Sequence, residues 1–148
     1  MNRKIYLALT LIFSVLGFAD SWYLAQHELT DTALSCGIGS TLSGCNIVAQ
    51  SPYSHLFGIP LGVYGLMFYG VVLLFTLVMY AGHKRRLSQF LFVVAIIGTL
   101  LSFYFAGLQI FVIKAICVYC FGSFFLTIGI FVTTLMLARH KPAAPPLM

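Results

Sequence analysis

The sequence predicts an all-α membrane protein, a four-transmembrane-helix bundle with an outer loop and a short helix folded over one end. Three observations carry that expectation. Of the 148 residues 61% are hydrophobic and only 7% charged, with a mean hydropathy of +1.02. A soluble domain carries about a quarter charged residues, so this chain cannot cover itself with polar surface. Four apolar runs, at 5–24, 59–79, 90–112 and 117–137, each approach or exceed the roughly 20 residues that a helix needs to cross a bilayer. The cations, finally, sit in short clusters between these runs. The net charge of +5 is therefore read as a topology signal and not as a nucleic-acid footprint.

The first run follows Arg3 and Lys4 and has Ala19 in a small-residue stretch, as a cleaved signal would. Its apolar character continues through Trp22, Tyr23 and Leu24, past the ~7–15 residues of a signal core, so a retained helix is expected. Lys84, Arg85 and Arg86 join the second and third runs, and Arg139 and Lys141 follow the fourth. Only Lys114 falls on the other side, with Glu28 and Asp31. The positive-inside rule puts both termini and the 83–86 turn in the cytoplasm and the 27–58 loop outside, as expected for a multi-pass protein of the cell inner membrane. One catalytic domain over 1–140 is expected, with a disordered tail over 141–148.

Helices in lipid associate by close contact, so small residues at intervals of four mark their interfaces. Gly58 and Gly62 begin such a row on the second helix, Gly98, Ser102 and Ala106 form one on the third, and Gly122 and Gly129 supply points on the fourth.

All four cysteines fall on the outer side, where disulfides are permitted. Cys117-Val118-Tyr119-Cys120 opens the fourth run with the spacing of a redox dithiol. Residues three apart share a helix face, and a helix N-terminus stabilises thiolate through its free N–H groups. Cys36 and Cys45 bracket a loop whose Gly37, Gly39 and Gly44 make it flexible and unable to form a core. Ser43 is placed to cap a short helix running to Gln50, with Cys45 in its first turn. Alone, the loop pair reads as a stapling disulfide; beside a second pair, it can pass electrons by thiol–disulfide exchange. Four cysteines allow three complete pairings. Zinc is the weaker reading, because a C-x-x-C within a helix and a Gly-rich loop make poor tetrahedral geometry, and no metal is expected.

The order of these features resembles the vitamin K epoxide reductase family, particularly its bacterial branch. Loop cysteines follow the first helix, and C-x-x-C opens the last helix of the core. Between them, Cys45 is followed six residues later by Ser51 and then by Phe57-Gly58-Ile59-Pro60, which looks like the family's lead into its second helix. Asp20-Ser21-Trp22-Tyr23-Leu24 is similar to the end of the first helix in bacterial members. The likeness covers about 7–137. DsbB-type reductases place C-x-x-C in the first outer loop and do not fit.

The resemblance implies a quinone-dependent dithiol oxidoreductase with a redox-active centre of two cysteine pairs, capped by the outer loop. Cys36 would exchange with a separate thioredoxin-fold, DsbA-like protein, Cys45 would pass electrons to Cys117, and Cys120 would stand next to the quinone. That is a role in oxidative protein folding, with a menaquinone, ubiquinone or phylloquinone type of acceptor. Ser51 matches the family's loop serine, and Ser51, Gln109, Ile113, Phe121 and Phe124 are the expected quinone contacts. Phe124 stands where animal members have a tyrosine, and Gly58 where they have an asparagine, so epoxide reduction and coumarin sensitivity are not implied; a vitamin K epoxide or quinone reductase acting on a small molecule is the alternative with the same cysteines.

The remaining polar residues carry weaker expectations. Gln109 needs a partner, either a quinone carbonyl or a nearby backbone group. His55 is an interfacial residue or a base near Cys45, and Asp20 is expected to snorkel outward. Tyr53, Tyr64, Tyr104 and Tyr119 suit an aromatic belt, and Phe125 joins Phe121 and Phe124 as a candidate cavity wall. The rival from another class is a structural four-helix protein with a stapled loop and an inert Cys117/Cys120 pair.

Overall fold

The computed structural model describes residues 2–34, 42–82 and 85–139. Cys36, Gly37 and Gly39 of the loop, His83 and Lys84 of the basic turn, and the 141–148 tail lie outside the described residues.

The apolar runs become four long helices, each long and apolar enough to cross a membrane. They are α1 (Arg3–Leu29), α3 (Leu61–Ala81), α4 (Arg85–Gly107) and α5 (Val118–Arg139). A shorter helix, α2 (Leu42–Ala49), lies between α1 and α3, followed by a two-stranded hairpin of β1 (His55–Leu56) and β2 (Ile59–Pro60). The helix α1 packs on α3 and α5, and α4 on α5. Outward-facing Leu, Val, Ile and Phe side chains remain exposed along all four long helices, as lipid contact requires.

Hydroxyls tie the bundle across its helices. Thr10 Oγ1 on α1 donates to Thr133 Oγ1 on α5 at 2.8 Å. The Tyr69 hydroxyl on α3 is fully buried and meets the Ser123 carbonyl, Ser123 Oγ and Thr127 Oγ1 on α5, each at 2.8 Å. Interhelical hydrogen bonds of this kind contribute about 0.6–1.7 kcal/mol each in lipid.

Several local expectations are corrected. Helix α3 starts at Leu61, so Gly58 is not on it. Phe57 (φ 55°) and Gly58 (φ 79°) instead form the two-residue turn of the hairpin, where both central residues need positive φ. Gly62 does provide a close approach: an added Cβ would lie 2.5 Å from the Ala25 nitrogen on α1. Gly98 seats the Phe68 ring and Gly129 the Phe13 ring, but nothing lies within 4 Å of a Cβ at Gly122. Helix α2 begins at Leu42, which puts Ser43 inside the first turn and not at the cap. The third span is also not uniform, since α4 passes into a wider π-helical segment, Leu108–Ile113, which ends at left-handed Lys114 (φ 55°).

Candidate active site

At the end of the bundle where α1 finishes and α5 begins, the loop helix folds over the helix tips. Cys45 and Cys117 are buried in one cluster with Leu24, Leu34 and Val48, and Tyr119, Ile113 and Cys120 pack against it. The segment around Cys45 therefore does contribute to a core, contrary to the flexible loop expected. Gly44 explains how: an added Cβ would stand 2.6 Å from the Ile116 carbonyl oxygen, so only glycine lets α2 sit against the chain just before Cys117. Asn46 fastens the other side, its Oδ1 accepting from the Leu34 N–H at 2.9 Å. Cys45 is disulfide-bonded, while Cys117 and Cys120 are free thiols.

Cys117 occupies the N-cap of α5. Its carbonyl accepts the first intrahelical bond, from the Phe121 N–H at 3.0 Å, and its Sγ accepts from the Cys120 N–H at 3.4 Å. A side-chain acceptor at this position satisfies one of the orphan donors of a helix start, and here the acceptor is sulfur. The Cys117 thiol is more acidic than an ordinary cysteine, chiefly because the Cys120 thiol hydrogen-bonds to it and then because the Cys120 and Tyr119 N–H groups face it. Burial and the charge of Asp20 oppose that shift. The Cys117 N–H is itself held by Gln109 Oε1 at 3.1 Å, so the π-helical segment grips the start of α5.

Cys120 faces elsewhere. It lines a cavity of about 300 Å³ enclosed by α1, α3, α4, α5 and the loop before the hairpin. Ser51, Gln109, Ile113, Phe121 and Phe124, all named from the sequence, line it too, along with Phe68, Phe105 and Leu101. Ser102 and Ala106 of the small-residue row on α4 are also in its wall, where their size leaves the space open. Phe125 points away and is largely exposed. Ser51 Oγ donates to the Val48 carbonyl at 2.7 Å, which ties this cavity wall to α2. Cys45 and Cys117 do not reach the cavity.

Two acids were given little weight by the sequence. Glu28 lines the cavity and accepts the Gly62 N–H on Oε2 at 3.0 Å. Asp20 does not snorkel: its Oδ2 is buried and has no hydrogen-bond partner among the described residues. His55 lies on β1, with Nδ1 at 2.8 Å from Ser54 Oγ, and is not in the sulfur cluster. Tyr69 was also missed, since only helix register reveals that its hydroxyl lands between Ser123 and Thr127. Among the described residues no three of His, Cys, Asp and Glu gather as a metal site would require.

A dithiol at a helix cap, beside buried and disulfide-bonded Cys45 and open on one sulfur to an apolar cavity, is the arrangement of a membrane thiol oxidoreductase. The chain matches the vitamin K epoxide reductase family over residues 8–135 and belongs to that family. Membership carries a quinone-linked thiol oxidoreductase activity in general terms. No individually curated protein matches the chain.

Proposed function

We propose that the protein reoxidises a separate, DsbA-like thioredoxin-fold protein on the outer side of the cytoplasmic membrane and delivers the electrons to a membrane quinone. The observation that carries this reading is the division of labour among the sulfurs. Disulfide-bonded Cys45 shares a dry cluster with Cys117, and Cys120 alone among the described cysteines opens onto the cavity.

The cavity suits a flat ring head group. Its volume is at the low end of ligand sites, which run from ~300 Å³, and its lining is mostly apolar with few polar groups. Phe68, Phe121 and Phe124 would wall the ring, and the Gln109 amide nitrogen would offer a donor while its oxygen serves Cys117. A bound quinone supplies a two-electron, two-proton acceptor.

The relay runs in three balanced exchanges. Cys117 and Cys120 lose two electrons and two protons to the quinone as their S–S bond forms. A Cys36/Cys45 dithiol then attacks that disulfide: Cys45 forms a bond to Cys117, Cys120 leaves as thiolate, and Cys36 displaces Cys117 to form the loop disulfide. The partner's dithiol reduces the Cys36–Cys45 disulfide in turn and leaves oxidised. The distribution of cations supports placing the cysteine end outside.

The test is anaerobic quinone reduction by the purified protein with a reduced DsbA-like donor, alongside Cys120→Ser. Donor-dependent reduction in the wild type that disappears in the variant is the expected result. No reduction of ubiquinone, menaquinone or phylloquinone analogues by folded protein refutes the reading.

A further inference from the structure

We propose that Glu28 is the acid of the cavity: it holds a proton on the carboxyl oxygen that does not serve Gly62 and passes it to a quinone oxygen as the helix dithiol is oxidised. The inference rests on the thiol–quinone reading and adds to it the residue through which a proton moves.

Glu28 is the one carboxylate among the described residues that line the cavity. The other ionisable groups there are Tyr53, Tyr64, Tyr69 and Cys120. Tyr69 is taken up by Ser123 and Thr127, and the Tyr64 hydroxyl donates to the Leu56 carbonyl at 2.9 Å. Cys120 is the electron donor. Tyr53 is 46% exposed and sits at the rim.

The carboxylate is seated by design of the backbone around it. Its Oε2 accepts the Gly62 N–H in the first turn of α3, and a Cβ at residue 62 would stand 2.9 Å from that oxygen. The Gly62 N–H engages only Oε2, which leaves the other oxygen for a proton on the cavity side. Glu28 also lies within electrostatic reach of Cys120 on one side and of His55 on the other. His55 is exposed, so its ring meets water at the hairpin.

Chemistry requires such a group. Oxidation of the two thiols releases two protons while the hydroquinone gains two O–H bonds. An anionic oxygen left in an apolar cavity costs several kcal/mol. Proton transfer from Glu28 to one quinone oxygen avoids that anion; one sulfhydryl proton restores the acid and the other goes to the second quinone oxygen. Electrons and protons then balance within a single turnover.

The experiment compares the full-length wild type with Glu28→Gln, Glu28→Asp and Glu28→Ala. Glu28→Gln keeps an acceptor for the Gly62 N–H, so the fold is retained, but it holds no acidic proton. Infrared difference spectra are recorded as ubiquinone-1 or menadione is added to the protein. A protonated-carboxyl band that responds to quinone in the wild type and is missing in Glu28→Gln is expected. With the thiol donor, Glu28→Gln should lower kcat for hydroquinone formation by about 100-fold, the low end of the range for a general acid, with little change in KM. It should also lose one ionisation from the pH profile, with Glu28→Asp recovering part of the rate. Reduction of the Cys45 disulfide by the donor should be unchanged in every variant.

A wild-type rate and pH profile in Glu28→Gln, or a carboxyl band that persists in it, overturns the proposal. So does equal loss of activity and thermal stability in Glu28→Gln and Glu28→Ala, which would make the residue a cap for α3 only. A wild type that forms no hydroquinone sinks the thiol–quinone reading, whereas the infrared band then reports separately whether Glu28 presents a proton to the cavity.

Discussion

Replacing Gln109 by leucine should loosen the start of α5 without disturbing the bundle. Gln109 Oε1 is the acceptor for the Cys117 N–H at 3.1 Å, and that N–H has no intrahelical partner because Cys117 is the N-cap. Cys117 is 1% exposed and Gln109 5%, so no water stands ready to replace the lost acceptor. An orphaned buried donor costs about 1–3 kcal/mol in general, and interhelical bonds in lipid run lower, so about 1–2 kcal/mol is expected here. The cost falls on the docked turn between Ile113 and Val118, not on the whole fold. At 1.36 kcal/mol per decade, the undocked fraction rises roughly 5- to 30-fold. A buried thiol reacts with iodoacetamide only from that fraction, so Cys117 alkylation in the reduced protein, followed by mass spectrometry, should accelerate by the same factor. Gln109→Glu restores an acceptor and should keep the docked population near wild type. Alkylation of Gln109→Leu within twofold of wild type, at an unchanged melting temperature, would refute the argument.

Three further outcomes follow from the same geometry. Gly44→Ala forces a methyl toward the Ile116 carbonyl, 2.6 Å from the new carbon, and overpacking of that kind costs about 1–3 kcal/mol. Exchange between the loop and helix pairs should slow about tenfold, read by rapid-quench thiol trapping, while dithiothreitol-driven reduction of the helix pair is retained. The Cys117 thiol, being more acidic folded than unfolded, should show an alkylation midpoint below that of a free cysteine. Across the window between the two values the unfolded chain binds more protons, so the reduced fold gains stability as pH rises and loses it as pH falls through the folded value. Asp20→Asn removes a charge that opposes ionisation of Cys117, so the midpoint should move lower still; an unmoved midpoint would show that Asp20 is uncharged in the folded protein.

What the sequence made legible was what composition and spacing encode. Apolar runs of the right length announce the four spans because lipid imposes that length on any helix, and the C-x-x-C stood out at the start of the last one. Cys45 in the first turn of a short helix was also readable from Ser43, although the helix begins at Leu42 and Ser43 does not cap it. Register between helices was not. Glu28 looked like an ordinary outer-side charge until α1 and α3 were brought close enough, over Gly62, for its carboxylate to meet the Gly62 N–H. Asp20 looked like a snorkelling group because sequence does not tell which face of α1 turns inward. The π-helical segment at 108–113 is invisible to a search at 3.6 residues per turn, yet it sets the position of Gln109 and hence its bond to Cys117. Gly44 was read as flexibility, whereas its missing side chain is what lets α2 dock.

On the proposed relay, the separation of the sulfurs gives a reason for two cysteine pairs and not one. A single dithiol would have to meet a soluble protein and an apolar ring at the same place, and a site open to both would admit water to the ring. Here Cys120 lines the cavity, Cys117 is buried at the helix cap one turn away, and Cys45 meets Cys117 from the loop side. Cys117 is buried in the cluster that holds Cys45 and hydrogen-bonded to Cys120, and its three holds, Gln109 on the N–H and the Cys120 N–H and thiol on the sulfur, keep it at the cap. On the proposed relay, electrons pass through Cys117 or not at all. A Cys117→Ser variant should therefore leave the partner able to reduce the Cys36–Cys45 disulfide while abolishing hydroquinone formation, and partner-driven hydroquinone formation by that variant would show that Cys45 reaches Cys120 or the cavity by another route.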